Sequence, residues 1–159
     1  GSNIGSRIMN IEKSKLMLIK ENIKIIKCSN YYETYSWPNK NFPKYFNIII
    51  KIKTKLSLNN LFVLIKLIEK KLGRKKLEKN HPRTCDIDII DYNEKCISSK
   101  VGNDSITVPH PRIGKLIMFA PGIPIGVLRQ ALSLKLIGFM FVLKPLAASH
   151  AESIATVEF

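Results

Sequence analysis

The chain has 159 residues, 45% of them apolar, with 26 Lys and Arg against 12 Asp and Glu and a formal net charge of +14. That length suits a single domain able to bury a core of its own, and the positive balance points to polyanions as partners, among them nucleotide phosphates, nucleic acid and anionic membranes, without choosing between them. The three cysteines, Cys28, Cys85 and Cys96, are odd in number and lack metal-ligand spacing; this excludes a fully paired disulfide framework and a cysteine-built zinc site, and with no secretory signal at the head it reads as reduced thiols in a cytoplasmic protein.

The chain opens on Gly1-Ser2-Asn3-Ile4-Gly5-Ser6-Arg7, a glycine turn that serves either as a strand-to-helix connection or as a phosphate cradle. From Asn10, an N-cap candidate, to about Glu21 the spacing predicts an amphipathic helix with Ile11, Leu16 and Ile19 on its apolar side. Residues 23–35 form a β-rich run, and 36–43, with Trp37, Pro38, Asn39 and Pro43, a loop. Trp37 suits two roles equally, a stacking platform or a hydrophobic plug. Residues 46–54 predict the clearest strand, with Ile48, Ile50 and Ile52 on one face and Asn47, Ile49, Lys51 and Lys53 on the other.

Ser57 is the N-cap of the best predicted helix, in which Leu58, Leu61, Phe62, Ile65, Ile68 and Leu72 recur at helical spacing and Gly73 ends the run. A basic loop follows, with Arg74, Lys75, Lys76 and Lys79. It leads to His81-Pro82-Arg83-Thr84-Cys85-Asp86-Ile87-Asp88-Ile89-Ile90, read as a strand in which Asp86 and Asp88 share one face while Ile87 and Ile89 point the other way. Two such carboxylates are either ordinary surface acids or a pair that repels unless a cation lies between them, and magnesium is the hard ion commonly held by one or two carboxylates plus substrate phosphates. Arg83 has the planar fork to clamp a phosphate. Residues 92–106 predict a hairpin, and Val108-Pro109-His110-Pro111-Arg112 follows, where His110 is either structural or a donor to a phosphate.

After Arg112 the composition changes: Asn disappears, Lys thins, and Ala, Gly, Pro and Leu rise. Residues 116–143 are apolar, but Arg129 and Lys135 lie within them and Pro121, Gly122, Pro124 and Gly126 punctuate them. Central charges cost about 2.5–3.5 kcal/mol each on insertion into a bilayer, so no membrane span is expected.

Taken in order, Gly1 to Arg7, Tyr32-Glu33-Thr34, Tyr45-Phe46-Asn47, Glu69 with Gly73-Arg74, Pro82 to Asp88 and Val108 to Arg112 make a series that resembles the 6-hydroxymethyl-7,8-dihydropterin pyrophosphokinases of folate biosynthesis. The predicted elements suggest an α+β sandwich with helices on an antiparallel-rich sheet, and the resemblance implies the ferredoxin-like form of it. It also implies transfer of pyrophosphate from ATP to the pterin alcohol, with two magnesium ions on Asp86 and Asp88. Arg74, Lys76, Arg83, His110 and Arg112 are expected on the ATP phosphates, with Asp86, Asp88, Arg83 and Arg74 as the catalytic set, and Lys76 stands where a second Arg is common. Thr34, Tyr45, Asn47 and Phe141 are expected around the pterin.

By this resemblance, residues 1–112 form the pyrophosphokinase-like domain, lacking the strand that leads into Gly-Ser-Asn in the family. Residues 113–140 are an insertion or sequence break, and 141–159 hold a possible last strand, Phe141-Val142-Leu143-Lys144-Pro145-Leu146, plus a divergent tail; Phe139 stands where the family has an Arg. A monomer without nucleic-acid or membrane partners is expected. The alternatives are a basic nucleic-acid-binding domain and an inactive relative of the kinase.

Overall fold

A computed structural model describes residues 1–75, 80–111 and 153–159. In chain order the elements are α1 (Arg7–Lys20), β1 (Lys24–Cys28), β2 (Tyr32–Thr34), β3 (Tyr45–Asn47), β4 (Ile49–Thr54), α2 (Leu58–Lys71), β5 (Asp88–Tyr92), β6 (Ile97–Val101), β7 (Asp104–Val108) and β8 (Ser153–Glu158). Strands β1, β4, β8 and β5 lie side by side in that order, each antiparallel to its neighbours. Two-stranded ribbons, β2 with β3 and β6 with β7, flank this sheet. The result is an α+β fold, as the sequence suggests.

Helix α2 follows its pattern closely. The Ser57 hydroxyl accepts from the Asn60 N–H at 3.3 Å, Leu58, Leu61, Ile65 and Ile68 are buried, and Gly73 takes φ +82°, a left-handed conformation that suits glycine at a helix end. Helix α1 departs from expectation at both levels. It begins at Arg7, so Asn10 lies inside the first turn and caps nothing; its amide instead donates to Ile4 O at 3.1 Å and Ser2 Oγ at 3.2 Å, tying the glycine turn to the helix. Its buried positions are Ile11, Ser14 and Leu18, whereas Leu16 and Ile19 are exposed. At about 100° per residue Leu16 is turned about 140° from Ile11, while Ser14 and Leu18 fall within about 60° of it; a serine in the buried stripe hid the true face.

The predicted strand over 46–54 is divided between two sheets, Tyr45–Asn47 pairing with β2 and Ile49–Thr54 with β1, yet Ile48, Ile50 and Ile52 are all fully buried as their alternation requires. The run 23–35 is likewise split into β1 and β2. The strand expected from His81 starts only at Asp88, so Asp86 lies in extended backbone just before it. The hairpin expected within 92–106 is β6 and β7, paired from Ile97↔Val108 to Val101↔Asp104.

The largest correction concerns the tail. The sheet position that the sequence reading leaves vacant is filled by β8, between β4 and β5, with Ala155, Val157 and Phe159 fully buried. The candidate strand at 141–146 lies outside the described residues, as do 116–143. Among the described residues no helix is long and apolar enough to cross a membrane. Side chains from both helices and from β4, β5 and β8 meet in one core, where each fully buried Ile, Leu or Val contributes about 1.5–3 kcal/mol.

The cysteines report on this packing. Cys28 and Cys96 are exposed, while Cys85 is fully buried and its thiol is pushed up to about 11 by burial. Only the thiolate reacts with alkylating reagents. Native protein at pH 8 is therefore expected to take iodoacetamide at Cys28 and Cys96 and at Cys85 only after denaturation, which peptide mapping by mass spectrometry checks.

Candidate active site

Asp86 is the hub. Arg74 Nη1 donates to its Oδ1 at 2.5 Å and Arg83 Nη1 to its Oδ2 at 2.8 Å, so arginines from the two ends of the basic loop converge on one carboxylate. Burial alone would raise the Asp86 carboxyl, but Arg74 and Arg83 outweigh it and hold the group below the ordinary carboxylate range. Arg74 is steered from its other side by Glu69, in the last turn of α2, with which it forms an ion pair. Glu69 is 2% exposed, accepts the Ile87 N–H at 2.7 Å and pairs with Lys66 at 3.0 Å. Burial pushes its pKa up, and the charges of Lys66 and Arg74 counter part of that.

From Cys85 to Ile89 burial alternates strictly. Cys85, Ile87 and Ile89 are in the core and Asp86 and Asp88 are half-buried, as the D-x-D spacing requires of two carboxylates on one face. Each Asp86 oxygen receives one of these two bonds from an arginine, and a carboxylate oxygen has two lone-pair sites. Among the described residues no three His, Cys, Asp or Glu side chains cluster as a metal cage. Two hard oxygen donors on one face still fit magnesium, which is often bound by one or two carboxylates with the remaining positions on water and phosphate.

Beside this cluster lies a second group. Strands β2 and β3 pair Thr34 with Tyr45, and the Asn47 amide donates to Thr34 Oγ1 at 2.9 Å. Tyr45 has its phenol pushed up by burial, and the nearby charge of Arg83 counters part of that, so Arg83 lies between the two groups. Gly1 lies against them: a Cβ there would stand 2.1 Å from Asn47 Oδ1 and 3.0 Å from Tyr45 Cδ1. Only glycine permits that approach.

Asn3 joins the pieces. It is 1% exposed; its amide donates to Ser36 Oγ at 3.2 Å and Pro43 O at 3.1 Å, and its Oδ1 accepts the Arg83 N–H at 2.7 Å. One side chain thus ties the opening turn to both ends of the 36–43 loop and to the Pro-Arg-Thr segment. Within that loop Trp37 is 66% exposed, which removes the plug reading.

On the other side of Asp88 is a cavity of about 220 Å³. Phe62, Ile87, Ile89 and Ile106 share its lining with the polar residues Asp88, Ser105, Thr107 and His110. His110 is held there by its backbone N–H, which donates to Ile90 O at 2.8 Å. Lys76, Arg112 and Phe141 lie outside the described residues.

Residues 1–119 match the profile of the 7,8-dihydro-6-hydroxymethylpterin-pyrophosphokinase family. The chain belongs to this family. It is 38% identical over 119 residues to the 2-amino-4-hydroxy-6-hydroxymethyldihydropteridine pyrophosphokinase of Aquifex aeolicus, covering 75% of this chain and 71% of that protein. With the pyrophosphokinase of the same name from Bacillus subtilis it shares 32% identity over 123 residues, 76% of this chain and 71% of the relative. The folic acid synthesis protein fol1 of Pneumocystis carinii is 37% identical over 113 residues, and there the match spans 71% of this chain but only 15% of the relative.

Two residues of the candidate site, Asn3 and Glu69, stand in the sequence motifs but carry no role read from them. Glu69 had a signal of its own, a carboxylate on the apolar stripe of α2 four residues after Ile65, where a charge is buried only if it is paired. Asn3 had none beyond its position after Gly-Ser, because its partners at Ser36, Pro43 and Arg83 are brought to it by tertiary folding alone.

Proposed function

We propose that this chain transfers a pyrophosphoryl group from ATP to the hydroxymethyl oxygen of 6-hydroxymethyl-7,8-dihydropterin in folate biosynthesis. The observation that carries this reading is the convergence of Arg74 and Arg83 on the Asp86 carboxylate, with Arg83 close enough to the Tyr45 phenol to act on its charge. The acidic, cation-guided chemistry and the polar side chains of Thr34, Tyr45 and Asn47 thereby come together beside Arg83. Family membership and the names of the single-function relatives support the same reaction, and the nucleic-acid alternative has only the +14 charge behind it.

In this reading Asp86 and Asp88 would hold two magnesium ions, whose charge would neutralise the ATP phosphates. Arg74 and Arg83, turned from Asp86 toward phosphate oxygens, stabilise charge as it builds on the transferred group, with Lys76, His110 and Arg112 around the triphosphate. The mixed polar and apolar cavity beside Asp88 takes the nucleotide base. Asn47 and Thr34 offer a donor and acceptors to the pterin edge, and Tyr45 and Phe141 flank its rings. The alcohol oxygen bonds to the β-phosphorus, the bond from that phosphorus to the oxygen bridging it to the α-phosphorus breaks, AMP leaves with that oxygen, and the alcohol proton is released. The enzyme acts as a cytoplasmic monomer.

Isothermal titration with a non-hydrolysable ATP analogue, with and without magnesium and then with the pterin, tests this alongside AMP release by chromatography. Magnesium-dependent analogue binding and AMP formed one for one with the pterin diphosphate are expected. A folded chain that binds the analogue and pterin but releases no AMP would be the inactive relative; strong, salt-sensitive RNA binding with no ATP consumption would favour the nucleic-acid reading.

A further inference from the structure

Arg83 is held by its backbone as well as by its side chain. Asn3 Oδ1 accepts the Arg83 N–H at 2.7 Å and the Asn3 N–H donates to Arg83 O at 3.2 Å, so both main-chain polar groups of Arg83 end on one residue. From that anchor the guanidinium reaches out, Nε donating to His81 O at 3.3 Å and Nη1 to Asp86 Oδ2 at 2.8 Å. The amide nitrogen of Asn3 serves a different segment. It donates to Ser36 Oγ at 3.2 Å and to Pro43 O at 3.1 Å, and Ser36 Oγ donates to Pro43 O at 2.5 Å. Ser36 comes two residues after Thr34 and Pro43 two before Tyr45, the cross-strand pair next to the loop that joins β2 to β3. These bonds therefore fasten the loop end of the β2–β3 ribbon, beside Thr34, Tyr45 and Asn47.

We propose that Asn3 is a positioning residue for pyrophosphoryl transfer: one buried amide keeps the Arg83 arm and the loop end of the β2–β3 ribbon at a fixed separation, so that the two substrates meet in register. This role rests on the function proposed above, which puts ATP phosphates at Arg83 and the pterin at Thr34, Tyr45 and Asn47. Asn3 is 1% exposed and Ser36 3%, so water does not compete for their bonds. An amide suits the place because it accepts on one atom, donates to two partners from the other, and buries no charge. The loop and the Arg83 segment also meet through the rings of Phe42 and His81, whose centroids are 5.7 Å apart with planes at 46°. Both of those residues are half-buried, and a tilted ring contact sets proximity without fixing direction. Direction comes from the hydrogen bonds of Asn3.

Asn3→Asp keeps the volume and the acceptor for the Arg83 N–H, but a carboxylate has no hydrogens for Ser36 and Pro43. Misplacing reacting groups by about 1 Å costs on the order of 100-fold in rate, whereas each substrate's own contacts are unchanged by this substitution. The single-turnover rate of AMP formation is therefore expected to fall about 10–100-fold, while the dissociation constants of the ATP analogue with magnesium, and of pterin added to that complex, stay within about threefold of the parent. Ser36→Ala leaves the Arg83 bonds and the Asn3 bond to Pro43 in place, and a smaller loss of the same kind is expected. Because both substitutions cut one link, the double variant is expected to be no slower than Asn3→Asp alone. Thermal melts establish that each variant is folded at the assay temperature. A parental single-turnover rate in Asn3→Asp overturns the positioning role, as do dissociation constants that rise as far as the rate falls, or single losses that multiply in the double variant. If Asn3→Asp does not fold, Ser36→Ala decides, and a parental rate there overturns the role. A parent chain that releases no AMP overturns the proposed function and this role together; a parent that turns over beside an equally fast variant overturns the role alone.

Discussion

Replacing Asp88 by alanine is expected to abolish AMP formation while leaving the melting temperature within a few degrees of the parent. Loss of a single electrostatic contact at the reacting centre typically costs about 10²–10³-fold in kcat, and loss of a metal ligand belongs at or beyond the top of that range. Among the described residues the side chain makes no hydrogen bond or ion pair, it is half-buried at the start of β5, and its strand is fixed by backbone pairing to β8. Nothing internal is therefore lost with the carboxylate. Coupled assays for AMP, magnesium titration and a thermal melt together check this; full turnover in the variant ends the metal role. Asp86→Ala is a different experiment, because it leaves Arg74 and Arg83 without the carboxylate that holds them together, and activity and stability fall jointly.

Glu69→Ala carries the largest expected effect on stability. The carboxylate is 2% exposed and serves the Ile87 N–H, Lys66 and Arg74 at once. Removing one partner of a buried ionic cluster costs about 3–5 kcal/mol, a large share of the roughly 5–15 kcal/mol that holds a domain of ordinary stability together. The denaturation midpoint should fall accordingly. Glu69→Gln keeps an oxygen for the Ile87 N–H and most of the volume, so it should recover part of the midpoint. It should not recover turnover, since a neutral amide no longer steers Arg74 toward Asp86. Equal stability of the alanine variant and the parent would mean that the cluster is not what fixes the end of α2 against the Asp86 segment.

The two substitutions probe neighbours of opposite legibility. The Asp86 and Asp88 pair was visible as a spacing of two, because alternation along extended backbone is a local geometric fact that survives even where regular strand begins only at Asp88. The α2 stripe and its Ser57 cap were visible for the same reason, every contact that defines them lying within four residues. Leu16 and Ile19 misled because hydrophobicity says that a side chain prefers burial, not which face of α1 meets the sheet; Ser14, satisfied by Ile11 O at 2.6 Å, took a core position instead.

By itself the sequence determined the chemistry on offer: two carboxylates on one face, arginines to answer them, and an amide and a phenol at the start of a strand. Periodicity and motif order encode such things because they depend on near neighbours. Only the tertiary structure decided that Arg74, Arg83 and Glu69 gather at Asp86, that Asn3 ties three segments together, and that the last residues of the chain fill the middle of the sheet. Strand pairing across more than a hundred residues leaves no periodic trace in the chain; the backbone hydrogen bonds that β4 and β5 need on their facing edges are satisfied by whichever segment can reach them, and here that segment is the tail.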